Sequence, residues 1–376
     1  MHLACSINKK YIKYFSVMLQ SVINNSKYDY ITVHILHNNL TQDDIDVIFN
    51  VFGEINMLSL KFYKVDNSNF KDFPLVAEHL TVETFYRLKL ADLISEDIKK
   101  IIYIDSDMIV KQNLMEIWAI NLKDYPLAAV ANFDDFMYKK IGLKKRLDYF
   151  NAGLILINLE LWREEEYFEI FIEYAKKNKG KIFFGDQDIL NGVLNGNWLS
   201  LQPKWNVQNF WCFIKEDFIN WYSENEYELI ISNPAIIHFS GPLKPWDLIN
   251  NQVHSKEYNK VLNNMSFWKN DHLFEQLIEL IEGEIFIFGT GYLAERTFEN
   301  IKSCNLSVVG FIDNDITKWR KELKSVNIYS PQDFFEKSKG KKVNLVICSD
   351  SHKEILEDLY SRNFNFDYIN VLLPNL

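Results

Sequence analysis

Cysteine is scarce in this chain: 4 in 376 residues, at Cys5, Cys212, Cys304 and Cys348, with no two spaced as Cys-x-x-Cys. That scatter excludes a disulfide framework and reads as reduced, buried thiols of a cytoplasmic protein. Basic charge is also short, 41 Lys and Arg against 51 Asp and Glu for a formal net charge of -10. This disfavours a nucleic-acid partner, because binding a phosphate backbone needs a net basic surface. Small phosphate ligands can still bind locally. No apolar run approaches the ~20 residues that a transmembrane helix needs. Met1-His2-Leu3-Ala4 supplies neither the basic region nor the apolar stretch of a signal peptide. The expectation is a soluble or peripheral protein in the cytoplasm, membrane contact being limited to the inner face of the plasma membrane. What the chain has is apolar content, 48% of residues, which at this length supports a large core and two domains.

Hydrophobic patterning in the first half alternates between two periods. Leu3 to Ile7 and Ile31 to Leu36 read as short buried strands, with an amphipathic stretch from Tyr14 to Val22 between them. Thr41-Gln42-Asp43-Asp44 predicts a helix start, Thr41 being the N-cap and the acids lying in the first turn. This succession predicts an α/β fold with a mixed, mostly parallel central sheet. Arg163 to Lys179 reads as one charged helix, with Glu164-Glu165-Glu166 at its N-terminal turn and Lys176-Lys177 at its end. That charge run is read as a solvated face complementing the helix dipole, not as a site.

Charge interrupts an apolar run at one telling place. Residues Ile101 to Val110 read Ile-Ile-Tyr-Ile-Asp-Ser-Asp-Met-Ile-Val, two carboxylates one residue apart at the end of a buried-strand pattern. Ligands of open α/β sheets lie beyond the carboxyl ends of such strands. Two ionised carboxylates this close repel unless a cation or several hydrogen bonds offset them. Asp105 and Asp107 are therefore candidate metal ligands, with a diphosphate as the metal's passenger. The same pattern also arises as an ordinary strand-ending turn with solvated acids.

A second apolar run, Ala235 to Trp246, ends as His238-Phe239-Ser240-Gly241-Pro242-Leu243-Lys244-Pro245-Trp246. His238 could lend an imidazole nitrogen to the same metal, and carboxylates plus imidazole plus phosphate oxygens suit manganese better than calcium. Gly241 lets backbone approach a phosphate closely, and Lys244 is a point charge suited to it. A histidine at a strand end is also commonly a hydrogen-bonded structural residue.

Several further segments, in order along roughly the first 250 residues, carry a resemblance. They are Thr84-Phe85-Tyr86-Arg87-Leu88-Lys89-Leu90, Tyr103-Ile104-Asp105-Ser106-Asp107, Tyr149-Phe150-Asn151-Ala152-Gly153, Ile157-Asn158-Leu159 with Trp162, Asp186-Gln187-Asp188-Ile189-Leu190-Asn191, Trp205-Asn206, and His238 with Gly241, Lys244, Pro245 and Trp246. In this combination the chain resembles glycosyltransferase family 8, the retaining nucleotide-sugar transferases that include bacterial lipooligosaccharide galactosyltransferases and glycogenin. The resemblance implies a GT-A type fold and a hexosyltransferase that moves glucose or galactose from a UDP-sugar to a glycan, glycolipid or glycoprotein acceptor. It implies Asp105, Asp107 and His238 as ligands of Mn2+, or of Mg2+ in its place. It further implies Ser106 near the ribose, Ala4, Ser6, Tyr11 and Val82 around the uridine, Gly241 and Lys244 on the diphosphate, and Arg87, Asn151, Ala152, Asp186 and Gln187 around the donor sugar. Asp186 is the natural acceptor for sugar hydroxyls, since a carboxylate takes two charge-assisted hydrogen bonds.

Two departures accompany the match. Ser6 and Asn8 stand where family members often carry an acid that reads the base, and Asn132, followed by Asp134 and Asp135, stands where relatives often carry an acid near the acceptor. For the reaction, the metal and Lys244 are placed to stabilise charge on the leaving phosphate. Retention formally suggests a nucleophile on the opposite face, and Gln187 is the best-placed match, but a neutral amide is a poor nucleophile. Same-face attack through an ion-pair-like transition state is therefore expected, the leaving phosphate oxygen taking the acceptor's proton.

A new unit starts near Glu284. The expected division is a catalytic domain over 1–268, a helical linker over 269–283 and a small Rossmann-like domain over 284–376. Glu284 to Ala294 reads as a strand entering a Gly-x-Gly-x-x-Ala turn that opens a helix, and Val308 to Asp313 as a second strand ending in an acid, with further strands at Val343 to Cys348 and Phe366 to Val371. Gly289, Gly291 and Asp313 are candidates for a second nucleotide site. The same glycines can serve a tight strand-to-helix turn alone, and a packing or protein-contact role stands ahead of cofactor binding.

Two other functions compete. An epimerase or oxidoreductase acting through Gly289 to Ala294 predicts a Tyr-x-x-x-Lys helix, which Tyr360 to Phe364 does not supply. A non-catalytic glycan-assembly scaffold predicts erosion of the metal and phosphate residues, yet Asp105, Asp107, His238 and Lys244 are all present. Donor sugar, acceptor and oligomeric state stay open.

Overall fold

The computed structural model describes residues 1–26, 30–74, 81–133, 136–241, 244–246, 254–268, 283–303, 306–348, 355, 358, 359 and 369–372. Of the sequence expectations, Cys304, Asp134, Asp135 and nearly all of the 269–283 linker lie outside these residues. Contacts divide the chain into one unit of 1–240 with 260–267, and another of 241–259 with 268–376.

The first unit is built on strands β1 (His2–Ser6), β2 (Ile31–His37), β3 (Leu58–Lys64), β4 (Lys100–Ile104), β5 (Met108–Val110), β6 (Leu127–Ala131), β7 (Phe150–Asn158), β8 (Leu199–Ser200), β9 (Val207–Gln208) and β10 (Ile236–His238). Seven form one sheet in the order β3-β2-β1-β4-β7-β6-β8. Neighbours β3, β2, β1 and β4 run parallel, while β7 is antiparallel to both β4 and β6. Strands covered on both faces need apolar residues throughout, and all seven positions of β2 and the whole of Ile101–Ile104 are buried. A second sheet, β5-β10-β9, sets His238 opposite Met108.

Helices follow their local signals. Ile12–Asn25 joins β1 to β2. Gln42–Phe52 begins at a capping box, in which Thr41 accepts from the Asp44 backbone N–H and Asp44 accepts from that of Thr41. The expected single helix from Arg163 to Lys179 is instead two, Leu159–Glu164 and Tyr167–Lys177. The chain breaks where Glu166 takes a left-handed conformation at φ 52. Nor is Arg163 part of a solvated face: its guanidinium donates to the carbonyls of Ala91, Ile94 and Ile98 at 2.9, 3.0 and 3.1 Å, closing the C-terminal end of the short helix Leu90–Leu93. Lys176 and Lys177 do lie in the last turn of the second helix. Trp162 and Phe171, both buried, meet edge to face with centroids 5.2 Å apart and lock the two helices together.

The second unit holds β11 (Glu284–Phe288), β12 (Val308–Ile312), β13 (Glu322–Leu323), β14 (Val326–Tyr329), β15 (Val343–Ile347) and β16 (Ile369–Leu372), in the order β13-β14-β12-β11-β15-β16. All pairings are parallel except the β13–β14 hairpin, which the sequence reading did not include. Alternate residues of β11 enter opposite cores. Phe286 and Phe288 pack with Phe334 of the helix Pro331–Ser338, while Ile285 and Ile287 pack with Ala294 and Phe298 of the helix Tyr292–Ser303. The sheet is thus covered on both faces.

Candidate active site

The end of β4 and the start of β7 meet in register. Asp105 donates its backbone N–H to the Gly153 carbonyl at 2.8 Å, and Phe239, next after β10, donates its own to the Asp107 carbonyl at 3.0 Å. These backbone bonds bring Asp105, Asp107 and His238 together, with one ligand atom from each lying within 4.8 Å of the others. His238 Nε2 is 3.4 Å from Asp107 Oδ1, and its Nδ1 faces Asn206 Oδ1 at 2.9 Å. Burial raises the Asp105 carboxyl above the usual range, opposed by the Arg87 charge and reinforced by that of Asp107.

Arg87, nearly fully buried, stands behind the carboxylates on the helical turn Val82–Lys89. Its Nη2 donates to Asp105 Oδ1 at 2.8 Å, its Nη1 to the Ala152 carbonyl at 2.5 Å, and its Nε lies 2.9 Å from Asp186 Oδ2 although that N–H is aimed at the Thr84 carbonyl, 3.2 Å away. The guanidinium also lies over the Tyr103 ring, 4.1 Å from its centroid. Asp186 accepts from the Thr84 hydroxyl, and burial pushes its carboxyl up to about 6 against the pull of Arg87.

Gln187 follows Asp186 at the start of the helix Asp186–Leu194, which Asn191 pins to β7 by bonding both backbone groups of Phe150, at 2.8 and 2.9 Å. Gln187 Oε1 accepts from Asn151 Nδ2 and from the Ala152 backbone N–H at 3.0 and 3.1 Å, and Nε2 donates to the Tyr149 hydroxyl at 2.9 Å. That hydroxyl donates in turn to Asp188 Oδ1 at 2.6 Å. The five residues expected around a donor sugar therefore form one connected set with the candidate metal ligands.

A family model described as glycosyl transferase family 8 matches residues 2–250. The chain belongs to glycosyltransferase family 8. A lipopolysaccharide 1,2-glucosyltransferase of Escherichia coli is 28% identical over 272 residues, across 70% of this chain and 78% of that protein. A Haemophilus influenzae protein is 32% identical over 295 residues, covering 75% of this chain and 85% of its own length. The galactosyltransferase LgtC, solved with donor and acceptor sugar analogues, superposes with a TM-score of 0.62 at 24% identity, over 72% of this chain and all of that one. The first unit thus has the mixed, parallel-rich GT-A architecture. A second model, described as C2185-like, N-terminal, matches residues 282–369.

As a family 8 transferase the chain can be tested for fit to a divalent cation. A Cβ on Gly153 would come within 2.5 Å of His238 Cε1 and 2.9 Å of Asp105 Oδ2, so the triad closes over a position that tolerates no side chain. Two carboxylates and an imidazole at this separation form an O,O,N donor set that fits a divalent cation.

Ala4 pairs with Tyr103 across β1 and β4, and Ser6 ends β1. Ser106 is buried between the two acids, Tyr11 closes the short turn Lys9–Tyr11, and Val82 opens the turn that carries Arg87. Gly241, at φ 88, and Lys244 group with the second unit. There too Gly289, at φ 114, follows β11, and Asp313 follows β12. Asp313 Oδ2 accepts from the Thr290 hydroxyl and from Lys318 Nζ, the latter at 3.0 Å, while Oδ1 accepts from the Asp315 N–H at 2.9 Å. Residues given no role by the sequence reading, Thr84, Gly153 and Asn206, all sit inside segments that carried the resemblance. Their types alone, a hydroxyl, a glycine and an amide, announce no chemistry.

Proposed function

We propose that this family 8 enzyme transfers a hexose, glucose or galactose, from a UDP-sugar to a glycan acceptor of bacterial surface polysaccharide, lipopolysaccharide or glycoprotein, with retention at the anomeric carbon. The observation that supports it best is the convergence of Asp105, Asp107 and His238 over Gly153, joined through Arg87 to Asp186. A divalent cation, Mn2+ or Mg2+, held by those three would offset charge growing on the leaving diphosphate. Asp186, fixed by Arg87 and Thr84, orients the sugar by accepting from its hydroxyls.

Gln187 acts as an oriented dipole, not as a nucleophile. Its carbonyl oxygen already accepts two hydrogen bonds, which leaves no lone pair for attack on the anomeric carbon. This favours same-face displacement, in which the leaving phosphate oxygen takes the acceptor hydroxyl's proton as the new glycosidic bond forms.

Residues 1–268 are the proposed catalytic domain, 269–283 a linker and 284–376 a Rossmann-like domain. The occupied oxygens of Asp313 favour a packing or protein-contact role there over nucleotide binding. The three described cysteines are free thiols, which supports a cytoplasmic location. Among the described residues no helix is long and apolar enough to cross a membrane.

The test is UDP release from a panel of UDP-sugars with Mn2+ or with chelator, which needs no knowledge of the acceptor. Metal-dependent release from one hexose donor, abolished in Asp107→Asn, names the sugar. Metal-independent release would overturn the role given to the triad.

A further inference from the structure

We infer that Asn206 is a positioning residue for the metal site: an amide chain anchored on the backbone N–H of Gly153 fixes the tautomer of His238, so that Nε2 presents a lone pair to the cation. The inference deepens the metal reading above and rests on it.

The chain of bonds can be ordered without choosing any amide orientation in advance. A backbone N–H can only donate, and that of Gly153 meets Asn151 Oδ1 at 3.0 Å. The Ala152 N–H likewise donates to Gln187 Oε1 at 3.1 Å, so the Asn151 atom facing that oxygen at 3.0 Å must be Nδ2. Two backbone donors thus agree on the orientation of Asn151. Asn206 then has to offer Nδ2 to Asn151 Oδ1, at 2.8 Å, which turns its own Oδ1 toward His238 Nδ1 at 2.9 Å. A ring nitrogen facing a carbonyl oxygen at that distance carries the proton, since two acceptors would repel. Nε2 is left bare, 3.4 Å from Asp107 Oδ1 and inside the carboxylate cluster.

Burial makes the order binding. Asn206 is 0% exposed, Asn151 7% and His238 3%, so a reversed amide would leave mismatched groups away from solvent. The ladder that seats the imidazole also seats its partner, because Asn206 ends the turn Pro203–Asn206 immediately before β9, and Gln208 of β9 pairs with His238. Gly153 serves twice, through its N–H and through the Cβ it lacks.

Two measurements test this. In metal-free protein labelled with 15N-histidine at alkaline pH, the His238 ring, identified by its loss in His238→Gln, carries its proton on Nδ1. A proton on Nε2 overturns the inference. Mn2+ affinity by electron paramagnetic resonance falls roughly 10–100-fold in Asn206→Leu, and wild-type affinity in folded Asn206→Leu overturns it equally. Should Asn206→Leu fail to fold, Asn206→Asp keeps an acceptor for Nδ1–H while removing the N–H given to Asn151 Oδ1. Retention of that tautomer supports the acceptor at this position as what fixes the ring, and its reversal sinks the inference. A wild type that binds no Mn2+ refutes the metal reading, while the metal-free tautomer still judges the amide chain separately.

Discussion

Arg87 donates from Nη2 to Asp105 Oδ1 at 2.8 Å, from a side chain only 5% exposed. The same guanidinium neighbours Asp186, so one buried cation holds a candidate metal ligand and a candidate sugar-binding carboxylate at fixed separation. Removing it strips both acids of their partner. Arg87→Met is expected to cost about 3–5 kcal/mol of stability, read as a lowered denaturation midpoint. Arg87→Lys recovers little, because an ammonium lacks the planar fork that reaches Asp105, Asp186 and the Ala152 carbonyl together. Near-wild-type stability in either variant contradicts this account.

Gly153→Ala tests the closeness of the metal triad. Its Cβ would fall 2.5 Å from His238 Cε1, 2.7 Å from Met108 Cε and 2.9 Å from Asp105 Oδ2. At least one ligand has to move, and Mn2+ affinity is expected to drop about tenfold or more. Titration calorimetry with Mn2+ decides it; unchanged affinity means that the ligands can spread at no cost.

Retention without a covalent intermediate has its own signature. Gln187→Ala should lower kcat with acceptor by orders of magnitude, yet intact-mass spectra of wild type incubated with donor alone should show no glycosyl adduct. An adduct on Gln187 or Asp186 would falsify same-face displacement.

Acid lability should come partly from His34. Its ring is buried in β2, with Nε2 3.0 Å from His2 Nδ1 and Nδ1 3.0 Å from the Tyr63 hydroxyl, and burial holds its pKa down from 6.5 to about 4. Between those values the unfolded chain binds a proton that the folded chain refuses, so stability falls as pH drops from 6.5 to about 4. The full effect is on the order of 3 kcal/mol. Melting curves across that window should be flatter for His34→Gln, and parallel loss in both proteins would assign the lability to other groups.

Gly289→Ala should destabilise the second unit. The residue has φ 114, and a Cβ would lie 2.5 Å from the Cys348 carbonyl oxygen, so an added methyl is expected to cost about 1–3 kcal/mol. UDP release per folded molecule should be unaltered, since no residue within 2–250, the span matched by the family model, is changed. A lost rate with an intact fold would give the residues from 283 onward a part in catalysis.

The parts of this molecule that one stretch of chain specifies were legible without a structure. Ile101 to Ile104 is apolar on both faces, so it reads as a core strand, and charge at Asp105 and Asp107 marks where that strand must end. Thr41 and Asp44 cap a helix through bonds spanning three residues. Local reading failed where the backbone took a rare conformation, as at Glu166, or where a charged side chain turned inward, as Arg163 does. Its guanidinium reaches carbonyls 65 to 72 residues away, and no pattern of neighbouring residues encodes such a distance. The sequence by itself determined the core strands around Leu3 to Ile7, Ile31 to Leu36 and Ile101 to Ile104, the cap at Thr41, the family and the types of residue available for chemistry. Only the tertiary structure decided that Arg87 serves both Asp105 and Asp186, that Gln187's oxygen is already occupied, and that Asn206 faces His238. Those facts depend on the register in which β4, β7, β9 and β10 meet, and a hydrogen bond between distant residues exists only when that register brings donor to acceptor.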